Sequence, residues 1–250
     1  LLVDERSVTG TQTLLRCPII RRTPFSPATA RQRPVQEIVL EAPPGFTFRA
    51  GQYTQVQHPA GTIPLSIASG PKRLPTLTLH YRSLPDVPAA DWMDELLETG
   101  APLLLHPPAG EVQMPEDPHQ PIVMIAGGTG ITQALAVLDE LAHTTERAAV
   151  DVLWCADSDD ELYCRSRLDT LKAPWLTLHY NVDARRSAEN SGFAKAQALL
   201  RTHAGANPWI LLGGSPGFVY AMDEALTVVT TVQRHADAFS WAPRPARPSD

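Results

Sequence analysis

The sequence predicts two parts of different class: an N-terminal antiparallel six-stranded β-barrel over 1–117 and a C-terminal parallel-sheet α/β domain over 118–243. Three observations carry this. The first half is a series of short alternating runs cut by prolines and glycines, the pattern of small all-β structures. The second half alternates apolar runs of strand length with helix-length segments, the pattern of β–α–β units. Between them lies "MPEDPHQP" (114–121), polar and proline-rich. At 250 residues the chain exceeds the usual size of one domain. The tail 244–250 is expected to be disordered, having too little apolar surface to fold.

In the first half, strands are expected at "LLRCPIIRR" (14–22), "VQEIVLEA" (35–42), "GQYTQVQHP" (51–59), "IPLSIAS" (63–69), "LTLHYRS" (77–83) and "PLLLHPPAGEV" (102–112). "APPGF" (42–46) and "RAGQY" (49–53) supply turn punctuation. One helix interrupts the strands, "AADWMDELLETG" (89–100), with Trp92, Leu96 and Leu97 able to share a face and Gly100 as its stop. The barrel reading follows from many short strands around a single helix.

In the second half, strands are expected at 121–127, 149–156, 175–182 and 208–214, with "DAFSWA" (237–242) as a last strand. Helices are expected at 128–144, 159–172, 193–204 and 216–229. In the first of these, Leu135, Leu138 and Leu141 fall on one face. Apolar strands separated by helices imply a parallel sheet covered on both sides.

Composition excludes several functions. Net charge is −6, without a basic stripe, so nucleic acid is not an expected partner. Cys17, Cys155 and Cys164 match no zinc or iron–sulfur spacing and are read as inert thiols in a reducing cytoplasm. The scattered histidines form no metal cluster with acids. No apolar run approaches the length needed to span a membrane. No signal peptide is expected, and a start at Leu1 reads as a trimmed chain or part of a longer polypeptide.

The chemistry-bearing motifs lie at strand ends. In "MIAGGTGITQ" (124–133), Gly127, Gly128 and Gly130 form a tight turn between a buried strand and a helix. Small residues there let backbone N–H groups reach an anion at the positive end of the helix dipole, and Thr129 and Thr132 can add hydroxyl donors. Gln133 stands where the last glycine of G-x-G-x-x-G would be. "LLGGSPGFVYA" (211–221) repeats the pattern with Gly213, Gly214, Ser215 and Pro216. There Ser215 caps the next helix, and both turns can face one crevice. In "WCADSDDELYC" (154–164), Asp157, Ser158, Asp159 and Asp160 either charge a helix start or select against a 2′-phosphate. The second reading favours NADH over NADPH.

A barrel half, a "GGTGIT" turn and a later "GGSP" turn together resemble the ferredoxin–NADP reductase-like superfamily, and within it the bacterial NAD(P)H-flavin reductases and reductase components of oxygenases. "FRAGQYTQV" (48–56), "LTLHYRSLP" (77–85), "HPPAGEV" (106–112), "LWCADSDDELY" (153–163) and "DAFSWAP" (237–243) fall in the family's order. The resemblance implies a flavin-type barrel holding FAD or FMN and an α/β domain holding NADH or NADPH. It implies hydride transfer from the nicotinamide to flavin N5, and onward transfer to an acceptor such as an oxygenase or iron–sulfur partner. It implies that Gly127, Gly128, Thr129, Gly130 and Thr132 cradle the pyrophosphate. It implies that Gly213, Gly214, Ser215 and Pro216 border the nicotinamide, and that Phe239 and Trp241 lie near the flavin ring; ordinary strand packing is the alternative for both aromatics.

The flavin motif itself is degenerate. The family pattern Arg-x-aromatic-Ser/Thr falls on Ile63, Pro64, Leu65 and Ser66, so only the expected partner of flavin N5, Ser66, is kept. The family's Gly-Gly phosphate turn falls on "PDVPAADW" (85–92), where Asp86 would repel a phosphate. A lost charge-assisted bond of about 1.5–3 kcal/mol weakens binding by roughly one to two orders of magnitude. The flavin is therefore expected to be weakly bound, or to be free flavin used transiently as a substrate, unless Arg49, Lys72, Arg73 or Arg82 substitutes. The alternative function is a non-catalytic NAD(P)-binding relative that has lost flavin and acts as a sensor or complex subunit.

Overall fold

The computed structural model describes residues 13–25, 33–171, 173–183 and 191–243. The expected tail 244–250 lies outside the described residues.

The first half forms two antiparallel sheets. One has the order β1 (Leu15–Cys17), β7 (Leu103–Leu105), β4 (Tyr53–His58), β5 (Gly61–Ser66). The other has the order β2 (Ile19–Pro24), β3 (Val35–Glu41), β6 (Thr76–Arg82). The strand expected at 14–22 is split at Pro18, with a register shift between Ile19 and Arg21. Its first part pairs with β7 and its second with β3, so the chain changes sheet at a residue that cannot donate to a ladder. An isolated bridge between Ile67 and Leu79 joins the opposite corner, which makes the two sheets a barrel. Inward residues such as Ile38, Leu40, Leu77, Leu79 and Leu105 fill it.

Helix α1 (Pro88–Thr99) closes one end of the barrel. It begins with proline and ends at Gly100, whose φ of 67° is the left-handed conformation a glycine stop adopts without strain. Its buried residues are Ala90, Met93 and Leu97, while Trp92 and Leu96 pack half-buried on the flank.

The second half is a parallel sheet ordered β10 (Leu176–Val182), β9 (Val150–Ala156), β8 (Ile122–Gly127), β11 (Trp209–Gly213), β12 (Arg234–His235). Helices α2 (Ile131–Ala142), α4 (Gly192–Thr202) and α5 (Pro216–Leu226) connect these strands. Along β8, Met124 faces one core and Val123 and Ile125 the other, as in a sheet covered on both sides. The chain leaves β8 toward β9 and later returns to β11 on its other side. The order therefore reverses between β8 and β11, and a crevice opens at the carboxyl ends of those two strands.

Two expected elements differ. The helix expected at 159–172 is a 3-10 turn, Asp159–Glu161, and a short α3 (Arg165–Asp169). Tyr163 is drawn inward between them: its hydroxyl lies 3.0 Å from His80 Nδ1 and its ring sits edge-on to Trp154. That placement is incompatible with a continuous exposed helix. The strand expected at 237–242 is instead a helical turn, α6 (Ala238–Trp241), and the last strand is β12. Ala236, Asp237 and Ala238 are buried in succession, which an alternating half-buried strand does not allow.

The two halves are fastened together on α2. Asp139 accepts two bonds from Arg73 Nε and one from Arg73 Nη2, and also the Gly70 amide at 2.9 Å.

Candidate functional site

A cleft of about 850 Å³ lies between the barrel and the parallel sheet. Both glycine turns reach it. After β8 the chain makes a 3-10 turn, Gly128–Gly130, and enters α2. Gly130 is packed backbone-on-backbone against the second turn: a Cβ there would lie 2.2 Å from the Gly213 carbonyl carbon and from the Gly214 nitrogen. No side chain fits, so the glycine requirement is steric as well as conformational. Gly128, by contrast, has a φ of +52° and open space where a Cβ would be. Its carbonyl accepts from Trp154 Nε1 at 2.9 Å. Thr129 lines the cleft. Thr132 donates its hydroxyl to the Thr129 carbonyl at 2.9 Å and is 3% exposed, so its proton holds the turn rather than a ligand.

The second turn behaves as expected of a cap. Ser215 Oγ accepts from the Phe218 amide at 3.3 Å, and Pro216 opens α5. Gly214, Ser215 and Pro216 line the cleft; Gly213 lies beneath, packed on Gly130. The Phe218 ring fills the space beside Gly127, where a Cβ would come within 2.7–2.8 Å of it.

The barrel wall carries Tyr53, Pro64, Leu65 and Ser66. Tyr53 on β4 stands opposite Ser66 on β5 in the antiparallel register. Ile63 does not line the cleft. It packs against the barrel core and pairs with Val56, so its side chain is a packing group. Phe239 does not line the cleft either; its ring lies 5.5 Å from that of Tyr220. Trp241 does reach the cleft.

Asp237 escaped the sequence reading. It follows β12, is 3% exposed, and accepts from Ser66 Oγ at 3.3 Å across 171 residues of sequence. Its other oxygen is buried without a partner. Burial pushes its carboxyl up to about 8, against a smaller lowering by the Ser66 hydroxyl. At neutral pH this group is therefore largely a neutral acid beside a serine. Burial, and then the charge of Asp237, raise the Tyr53 phenol. Only the "DAF" spelling marked this position, and the expected strand directed attention to the aromatics beside it.

The far end of the cleft is acidic. Asp157, Glu161 and Asp183 line it at the ends of β9 and β10. Glu161 accepts the Asp157 amide at 2.9 Å and stands 3.7 Å from Arg82. Of the four cations considered as substitutes for the missing arginine, Arg73 is engaged by Asp139 and Lys72 stands 3.3 Å from Glu140, while Arg82 lines the cleft. No cluster of His, Cys, Asp or Glu among the described residues could hold a metal ion. All three cysteines are buried, and burial raises their thiols to about 11 or 12.

Comparison with known proteins agrees with this geometry. Residues 124–224 match the oxidoreductase NAD-binding domain family. The chain is 27% identical over 204 residues to terephthalate 1,2-dioxygenase reductase component 1 of a Comamonas species, covering 78% of this chain and 60% of that protein. It is 30% identical over 140 residues to an NAD(P)H-flavin reductase of Aliivibrio fischeri, covering 54% of this chain and 59% of that protein. The ferredoxin–NADP+ reductase of Plasmodium falciparum superposes with a TM-score of 0.74 at 13% identity, over 92% of this chain and 97% of that one. The chain is thus similar in sequence to an oxygenase reductase component and a flavin reductase, and it shares the fold of ferredoxin–NADP+ reductase. It spans about 60% of the length of each of these two curated relatives. No helix among the described residues is long and apolar enough to cross a membrane.

Proposed function

We propose that this chain is an NADH-oxidising reductase unit that passes a hydride to a weakly held flavin, FAD or FMN, and electrons onward to an oxygenase or iron–sulfur partner. The observation that carries the reading is one cleft with two glycine turns on one wall and a serine bonded to a buried neutral acid on the other. We take 1–117 as the flavin-facing part and 118–243 as the nucleotide-binding part, acting in the cytoplasm.

The cofactors supply the redox chemistry, a hydride from the nicotinamide accepted at flavin N5. What this chain supplies is placement. The backbone amides around Gly128 and Thr129 suit a pyrophosphate, with Gly130 and Gly213 keeping the two turns close. Tyr53 and Leu65 offer an apolar wall for a flat ring, and Ser66 offers a hydroxyl at its edge. Asp237 holds that hydroxyl in place and keeps a proton within one hydrogen bond of it. Asp157 and its acidic neighbours favour a ribose hydroxyl over a 2′-phosphate, hence NADH over NADPH.

The flavin fit is partial. Tyr53, Leu65 and Ser66 suit a ring, but Ile63 is turned into the barrel core and Asp86 holds a φ of 60° where a glycine would sit freely. These two positions favour the second reading, a nucleotide-binding relative without flavin. Adding NADH with FAD or FMN and following the nicotinamide absorbance separates the two. Flavin-dependent oxidation supports the enzyme; NADH binding without oxidation with either flavin leaves only the second reading.

A further inference from the structure

Gln133 is used neither by the glycine turns nor by the Ser66–Asp237 pair. It lies in the first turn of α2 and is 2% exposed. A buried primary amide costs free energy unless it is hydrogen-bonded. Its Nε2 donates to the Gly51 carbonyl at 2.9 Å, across 82 residues of sequence. Its Oε1 lies 3.3 Å from where a Cβ on Gly213 would sit. One side chain therefore touches the second glycine turn and grips the barrel.

What it grips matters. Gly51 has a φ of +94°, and a Cβ there would lie 2.6 Å from Val112 and 3.9 Å from Val137, one helical turn beyond Gln133. The peptide that carries the gripped carbonyl leads directly into β4, where Tyr53 stands opposite Ser66. A continuous path thus runs from the nucleotide turns through Gln133 and Gly51 to the two residues of the facing wall. Asp139 and its bonds to Arg73 and Gly70 form a separate fastening further along α2. Loss of the amide alone therefore leaves the halves joined.

We propose that Gln133 is a positioning residue that fixes the separation between the nucleotide turns and the Tyr53–Ser66 wall by tying the Gly51 carbonyl to α2. This rests on the reading of the cleft as the place where hydride passes from pyridine nucleotide to flavin. Hydride transfer needs its donor and acceptor almost in contact, and a misplacement of about 1 Å costs on the order of a hundredfold in rate. Gln133→Met keeps the length of the side chain and removes its donor.

Two measurements test this, with Gln133→Leu as a second variant. In stopped-flow reduction of FMN at saturating NADH, Gln133→Met is expected to slow hydride transfer by roughly tenfold with KM for NADH within about twofold. An unchanged rate, or a fall in kcat/KM arising from KM alone, overturns the proposal. In amide hydrogen exchange without flavin, NADH is expected to slow exchange over residues 51–56 in the wild type and not in Gln133→Met. Equal protection in both, or none in the wild type, also overturns it. A wild type that oxidises no NADH with FAD or FMN removes the proposed function instead, and the exchange measurement then decides the coupling by itself.

Discussion

Asp237→Asn should flatten the pH dependence of stability. Burial disfavours the charge of the wild-type carboxyl and pushes it up to about 8 in the folded state. An unfolded aspartate titrates near about 3.9. The folded state therefore binds the proton more tightly, and this group's stabilising effect is full only below the unfolded pKa. As pH rises from about 4 to about 8, the unfolded chain ionises first and stability falls, by at most about 1.4 kcal/mol per pH unit. Between pH 5.5 and 7.5 the loss is at most about 2.7 kcal/mol. His80, which burial lowers to about 3, acts in the opposite sense: its effect is present above the unfolded histidine pKa and lost as pH falls. It is common to both proteins, so the difference between wild type and variant cancels it. Urea unfolding of both proteins at pH 5.5, 6.5 and 7.5 measures the effect. The gap in favour of the variant should widen with pH, reaching about 1–3 kcal/mol. A gap that stays constant across these pH values refutes the argument that Asp237 is a buried neutral acid.

Ser66→Ala should lower the rate of flavin reduction while NADH affinity stays nearly unchanged; single-turnover kinetics with unaltered rate would remove Ser66 from the chemistry. Gly130→Ala forces a methyl group to 2.2 Å from the Gly213 backbone. It should cost about 1–3 kcal/mol of stability and abolish NADH binding, and tight NADH binding by titration calorimetry would refute the backbone contact. Asp157→Arg should raise NADPH affinity relative to NADH. An unchanged preference in paired titrations would assign the acid to the Asp157–Glu161 loop alone.

Much of the fold was legible because local patterns encode it. The period-2 runs became β3, β4 and β6 within a residue or two of their expected ends, and Gly100 ended α1 as its conformational freedom allows. The glycine turns were legible for the same reason: a strand, two or three small residues and a helix form a local signal. The misread elements share one cause. Tyr163 and Asp237 are drawn inward by partners far away in sequence, His80 and Ser66, and that pull overrides the local pattern of 159–172 and 237–242. Ile63 was matched by motif position, but it packs with Val56 against the barrel core and does not line the cleft.

The sequence by itself therefore determined most of the succession of elements, the two glycine turns and the family they resemble, since each depends on residues within a few positions of one another. Tertiary structure alone decided which polar groups meet. Ser66 with Asp237, and Gln133 with Gly51, join residues 171 and 82 positions apart. Such pairs exist only because packing removes water from both partners, so that each buried polar group must find another within reach.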